Sequence, residues 1–132
     1  MSATILIAED HPASLELMRY LLAAHGYRPL AAVDGEAALD LARRERPDLI
    51  ICDLQMPKVD GYGIVTQVRA DARLREVRVI AVTAFSMHGD RERVLRAGFD
   101  GYFAKPIEPE TFVQQMESFL PPALRAHRVP GA

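Results

Sequence analysis

A chain of 132 residues with 49% hydrophobic and 26% charged side chains has the length and apolar content for one domain with a full core, and no room for a second folding unit. A net charge of -2 without any long basic run argues against a polyanion-binding surface, so neither nucleic acid nor a membrane is an expected partner. The single cysteine, Cys52, excludes an intramolecular disulfide and suits a reducing compartment.

The opening stretch MSATILIAED reaches acidic residues after about six apolar-leaning positions, too few for a signal-peptide core or a membrane span, and a cytoplasmic setting is expected. A first strand reads from Thr4 to Ala8 and exits into Glu9 and Asp10. Pro12 favours a helix start, Leu15, Met18 and Leu22 give that helix its apolar stripe, and Gly26 is its left-handed stop. A second strand, Arg28 to Ala32, leads to Asp34, which caps a helix running through Leu39 and Ala42. Leu49 to Asp53 is the third strand. Its unbroken apolar run reads as a strand buried on both faces, with Cys52 as core. Asp60 caps a third helix carrying Ile64, Val65 and Val68, and the arginines at 69, 73, 75 and 78 read as a solvated face. A fourth strand spans Val77 to Thr83. The helix after it holds Val94 and Leu95 and ends at Gly98, with a second solvated or partner-docking group of arginines at 91, 93 and 96. Gly101 to Phe103 is the last strand, followed by Lys105 and Pro106. Pro109 fits the first turn of a fifth helix whose inward stripe is Phe112, Met116 and Phe119. The domain is expected to occupy residues 1–121, with 122–132 as a flexible tail.

Strict alternation of strands and helices implies right-handed crossovers and a parallel sheet covered on both faces, an α/β three-layer sandwich. In such folds the ligand site lies beyond the carboxyl ends of the strands. Glu9, Asp10, Asp53, Thr83 and Lys105 all occupy strand exits and should converge there. Three carboxylates in one place repel one another and require a positive partner. A hard divalent cation meets that need, and an all-oxygen donor set suits Mg²⁺. Lys105 adds a compact fixed charge and Thr83 a hydroxyl. A carboxylate nucleophile, a hard metal, a lysine and a hydroxyl are the parts for phosphoryl transfer to aspartate. Asp53 ends the central strand and is the candidate nucleophile, with Glu9 and Asp10 as metal holders. His11 has no second histidine or cysteine at ligand spacing, so zinc is not expected.

With Glu9-Asp10, Asp53 within DLQMPKVDG, Thr83-Ala84, Tyr102 and the KPI at 105 to 107, the chain resembles the receiver domains of bacterial response regulators, the CheY-like proteins, over about residues 3 to 120. The stretch VIAVTAFSMHGDRERV is further similar to single-domain regulators of the DivK type and to receivers attached to hybrid kinases. The resemblance implies a five-stranded parallel sheet in the order 2-1-3-4-5 with five helices, an order that belongs to the family and is not read from these residues. It implies that a histidine kinase or histidine phosphotransfer protein donates a phosphoryl group to Asp53. Asp10, Asp53 and the backbone carbonyl of Gln55 would hold Mg²⁺ directly and Glu9 through water. Thr83 and Tyr102 would act as the switch. Lys105 and Pro106 would be joined by a cis peptide bond, and the face of helix four, strand five and helix five would change for a downstream protein target. A phosphorylation-dependent homodimer is compatible with this picture. Glu9 departs from the commoner aspartate by one methylene, and Gln55 and Phe85 occupy positions that tune the lifetime of the phosphorylated state.

Three other readings compete. A flavin- or nucleotide-binding protein on this fold wants glycine and hydroxyl residues after the first strand, where this chain has EDHP and would repel a phosphate. A phosphohydrolase with an aspartyl-phosphate intermediate would carry a second acid two residues after the nucleophile, where Gln55 stands. A docking module without phosphorylation would not need the full set of acids, hydroxyl and lysine. The reading of a signalling receiver that promotes only its own phosphorylation and dephosphorylation accounts for all of them.

Overall fold

A computed structural model describes residues 3–84 and 88–125. In chain order the elements are β1 (Thr4–Ala8), α1 (Pro12–Ala24), β2 (Arg28–Ala32), α2 (Gly35–Glu45), β3 (Leu49–Asp53), α3 (Gly61–Ala70), β4 (Arg78–Thr83), α4 (His88–Ala97), β5 (Gly101–Ala104) and α5 (Phe112–Glu117). The strands form one parallel sheet in the order β2-β1-β3-β4-β5, as the resemblance implies.

The pleat divides the apolar residues of each strand between two cores. Ile5, Ile7, Leu49, Ile51, Ile80, Val82 and Phe103 face α1 and α5, where Leu15, Met18, Leu22, Phe112 and Met116 meet them. Leu6, Ala8, Ile50, Cys52, Val79 and Ala81 face Leu39, Ala42, Ile64, Val65, Val68 and Val94 of α2, α3 and α4. Every residue of β3 is buried, which is why its sequence does not alternate.

Local signals hold where their chemistry is local. Asp34 accepts a hydrogen bond from the Ala37 N–H at 2.8 Å, and Asp60 accepts one from the Gly63 N–H at 2.8 Å. Gly26 and Gly98 follow α1 and α4 with φ of 89° and 115°, the left-handed region that ends a helix at low steric cost. The fifth helix differs from its sequence reading. The Glu108 carbonyl accepts from both the Thr111 and Phe112 N–H groups, so Pro109 lies in a preceding turn and the regular helix begins at Phe112. Past Leu120, Pro122–Leu124 form a 3₁₀ turn and Leu124 packs against the first core; residues 126–132 of the expected tail lie outside the described residues.

Arg69 corrects a sequence expectation, since it is not part of a solvated face. Its guanidinium donates to the carbonyls of Val77 at 2.6 Å, Arg75 at 2.8 Å and Gly98 at 2.8 Å, and pairs with Asp100 at 2.8 Å. Asp100 in turn accepts from the Val79 N–H at 2.8 Å. One side chain therefore joins the end of α3, the start of β4 and the turn before β5 (a planar fork with five donors is built for that). Arg73, by contrast, is exposed. Arg69→Ala is expected to lower stability by about 2–3 kcal/mol because several carbonyls lose a charged donor, while Arg73→Ala changes it by less than about 0.5 kcal/mol; urea unfolding midpoints of the two variants check this.

Candidate functional site

The same pleat places the chemistry. Glu9 continues the parity of Ile5 and Ile7, Asp53 that of Leu49 and Ile51, and Lys105 that of Phe103, so all three turn toward the α1 and α5 side at the carboxyl end of the sheet. The ladder carries one step past the strands: the Glu9 N–H donates to the Ala32 carbonyl at 3.0 Å and the Lys105 N–H to the Thr83 carbonyl at 2.8 Å. Because Ala8 is in register with Cys52, Glu9 comes level with Asp53.

Lys105 Nζ lies 2.7 Å from Asp53 Oδ2 and 2.8 Å from Glu9 Oε1, a charge held between two acids. Asp53 Oδ1 accepts from the Gln55 N–H at 3.0 Å, and Glu9 Oε2 from the His11 N–H at 3.1 Å. Glu9 Oε1 faces the ammonium off the line of a hydrogen bond and has no hydrogen-bond partner among the described residues. Carboxylate oxygens of Glu9, Asp10 and Asp53 come within 4.8 Å of one another. Asp10, His11, Asp53, Gln55, Thr83, Ala84 and Lys105 line an open cleft of about 220 Å³. Asp53 lies at its base, 7% exposed, with Glu9 fully buried behind it at 0%, whereas Asp10 stands on the rim.

Burial, then the neighbouring Asp53, pushes the Glu9 carboxyl up to about 7 against the pull of Lys105 and the His11 N–H. For Lys105, burial works against the charged form, but the hydrogen bond to Asp53 and the charges of Asp53 and Glu9 outweigh it and hold the amine above its usual range. Cys52 stays within the core, where burial raises its thiol far above the ordinary range. One amine among three acids leaves surplus negative charge, and the donors are hard oxygens at the mouth of an open cleft, a set that fits a small divalent cation.

The model of the response regulator receiver domain matches residues 5–117. The chain belongs to the response regulator receiver family. Over 120 residues it is 42% identical to the polar-differentiation response regulator DivK of Brucella anthropi, covering 91% of this chain and 98% of that one. Among solved structures, Vibrio cholerae chemotaxis protein CheY4 superposes with a TM-score of 0.85 at 27% identity, covering 91% of this chain and 100% of the other. The receiver domain of the sensor histidine kinase PA1611 from Pseudomonas aeruginosa PAO1, with a magnesium ion coordinated in its active site cleft, gives 0.82 at 34% identity over 90% and 98% of the two chains.

Of the residues singled out in the sequence, Glu9, Asp10, Asp53, Gln55, Thr83 and Lys105 meet at this receiver's cleft. Thr83 is buried at 3%, and the Lys105–Pro106 peptide is cis. Tyr102 lies apart from the cleft on β5, 36% exposed and in register with Ala81. Phe85 lies outside the described residues. The pairing of Lys105 with Glu9 as well as Asp53 went unread, although strand parity already puts the three on one side. No described helix is long and apolar enough to cross a membrane.

Glu9 titrates near 7 in the fold against 4.5 as a free side chain, so its contribution to stability is complete below about 4.5 and is lost as pH rises through about 7. With divalent cations chelated, the receiver is expected to lose on the order of 2 kcal/mol more between pH 5 and pH 8 than Glu9→Gln does. Chemical denaturation of both proteins across that range measures the difference.

Proposed function

We propose that this receiver accepts a phosphoryl group on Asp53 from a phosphohistidine of a histidine kinase or histidine phosphotransfer protein and passes the signal on through a change of surface. The observation that carries the reading is an aspartate ending the central strand with a lysine amine 2.7 Å from it and two further acids beside it. Asp10, Asp53 and the Gln55 carbonyl would hold Mg²⁺ directly. Glu9, buried and already engaged with Lys105, would act through water and become fully charged when the cation is present. Mg²⁺ when bound supplies positive charge that offsets the phosphoryl oxygens.

The chain's own residues do the rest. An oxygen of the Asp53 carboxylate bonds to phosphorus as the P–N bond to the donor imidazole breaks, and the bonding pair remains on the ring nitrogen, which takes a proton from solvent. Gln55 N–H orients the carboxylate through Oδ1, and Lys105 passes from Oδ2 to an oxygen of the incoming group. Thr83, at the end of the neighbouring strand, turns its hydroxyl to the same group. Tyr102, exposed and two register steps behind, moves into the space so vacated and alters the face of α4, β5 and α5 that a downstream protein target reads. Hydrolysis of the acyl phosphate resets the switch, so the chemistry is confined to its own aspartate. Residues 1–121 would suffice for this, with 122–132 as an appended tail. The buried Cys52 thiol accords with a cytoplasmic setting.

Acetyl phosphate with Mg²⁺ is expected to label the wild type with an acid-stable, base-labile phosphate and to leave Asp53→Asn unlabelled, as read by electrophoresis with a phosphate-affinity additive. Asp10→Asn is expected to raise the Mg²⁺ concentration for half-maximal labelling by at least about tenfold, the scale seen even for groups outside the inner coordination sphere. Labelling of Asp53→Asn equal to that of the wild type would refute the assignment.

A further inference from the structure

We propose that Gly35, outside the cleft, is a positioning residue for the metal-binding loop: its missing side chain lets the turn between β2 and α2 clamp residues 55–59 in the path that holds Gln55 against Asp53. The inference rests on the proposed role of Gln55 and Asp53 in holding Mg²⁺.

The loop between β3 and α3 has few bonds of its own. The Val59 N–H donates to the Pro57 carbonyl at 2.8 Å, and Lys58 sits at φ 70°, a left-handed conformation that is uncommon for a residue with a side chain. The loop is held instead from the flank. The Gly35 N–H donates to the Pro57 carbonyl at 3.1 Å, and Asp34 faces Lys58 Nζ at 3.8 Å. A Cβ on Gly35 would lie 1.9 Å from the Val59 carbonyl oxygen and 2.6 Å from its carbonyl carbon. These are backbone atoms, so no rotamer change relieves the contact. Gly35 itself cannot yield easily, because it is the first residue of a helix capped by Asp34 and seated on the sheet through Ala38, Leu39 and Ala42. At the other end, the Gly61 N–H bonds the Leu54 carbonyl at 3.0 Å, with a Cβ there meeting the Asp53 carbonyl oxygen at 2.6 Å. The loop is thus pinned at two points, and a side chain at 35 displaces the stretch between them, which includes Gln55.

Gly35→Ala tests the clamp, with folding followed by circular dichroism and Mg²⁺ binding by calorimetry. The expected result is a folded protein whose Mg²⁺ dissociation constant rises about tenfold, the usual scale for groups that orient ligands, with Asp53 labelling by acetyl phosphate recovered as Mg²⁺ is raised. A packing role alone would lower the unfolding midpoint and leave Mg²⁺ affinity within about twofold of wild type, and that result overturns the proposal. Should Gly35→Ala not fold, Asp34→Asn combined with Lys58→Gly keeps the cap and loosens the loop without a clash; binding weakened by about threefold or more supports the clamp and unchanged binding overturns it. Wild type that fails to bind Mg²⁺ or to be labelled at Asp53 overturns the proposed function and the clamp together, whereas a competent wild type beside an unaffected variant overturns the clamp alone.

Discussion

Confined repulsion among acids is the constraint on which this receiver depends. A parallel sheet directs every strand's carboxyl end to one edge, and the chain puts Glu9, Asp10 and Asp53 there with oxygens inside 4.8 Å. Such a cluster is tolerable only if positive charge is supplied or a proton is retained. The fold does both, wedging the Lys105 ammonium between Glu9 and Asp53 and leaving Glu9 with its affinity for a proton raised. The site is therefore under-neutralised by the placement of the backbone, a deficit of positive charge of the kind that a small divalent cation would offset.

The scaffold makes this charge arrangement affordable by rigidity around it. Two cores, one on each side of the sheet, bury β3 completely, so Asp53 emerges from a strand packed on both faces. Arg69 ties the far ends of α3, β4 and the β5 approach into one hydrogen-bonded knot, fixing the opposite edge of the sheet. Close backbone contacts at Gly35 and Gly61 do for the β3–α3 loop what hydrogen bonding within the loop does not. On α4, Arg93 lies over the Tyr62 ring at 5.0 Å and Tyr62 meets Phe99 edge-on, so the helix beside the cleft rests on α3 through aromatic as well as aliphatic contact.

Much of this was legible from residue order. Apolar runs located the strands, Asp34 and Asp60 announced their helices through caps that need only neighbouring N–H groups, and exit residues named the cleft. The misreadings share one cause. Arg69 and Arg73 are alike in local pattern, yet one finds the carbonyls of Arg75, Val77 and Gly98, while the other stays exposed beside Asp71. Pro109 suits a first helical turn by itself, but the Glu108 carbonyl tightens the turn around it and the regular helix starts later. Glu9 reads as one more metal ligand until the register levels it with Asp53 and burial is counted.

What the sequence alone determined is the alternation of strands and helices, the sheet's parallel sense and the set of polar residues at its exits, because periodicity, capping and turn chemistry act over a few residues. Only the tertiary structure decided which of those groups touch, how far each is removed from water, and which glycine is required for lack of space. Electrostatic energies and steric contacts depend on distances between segments far apart in the chain, and those distances exist only once the sheet has brought the segments together.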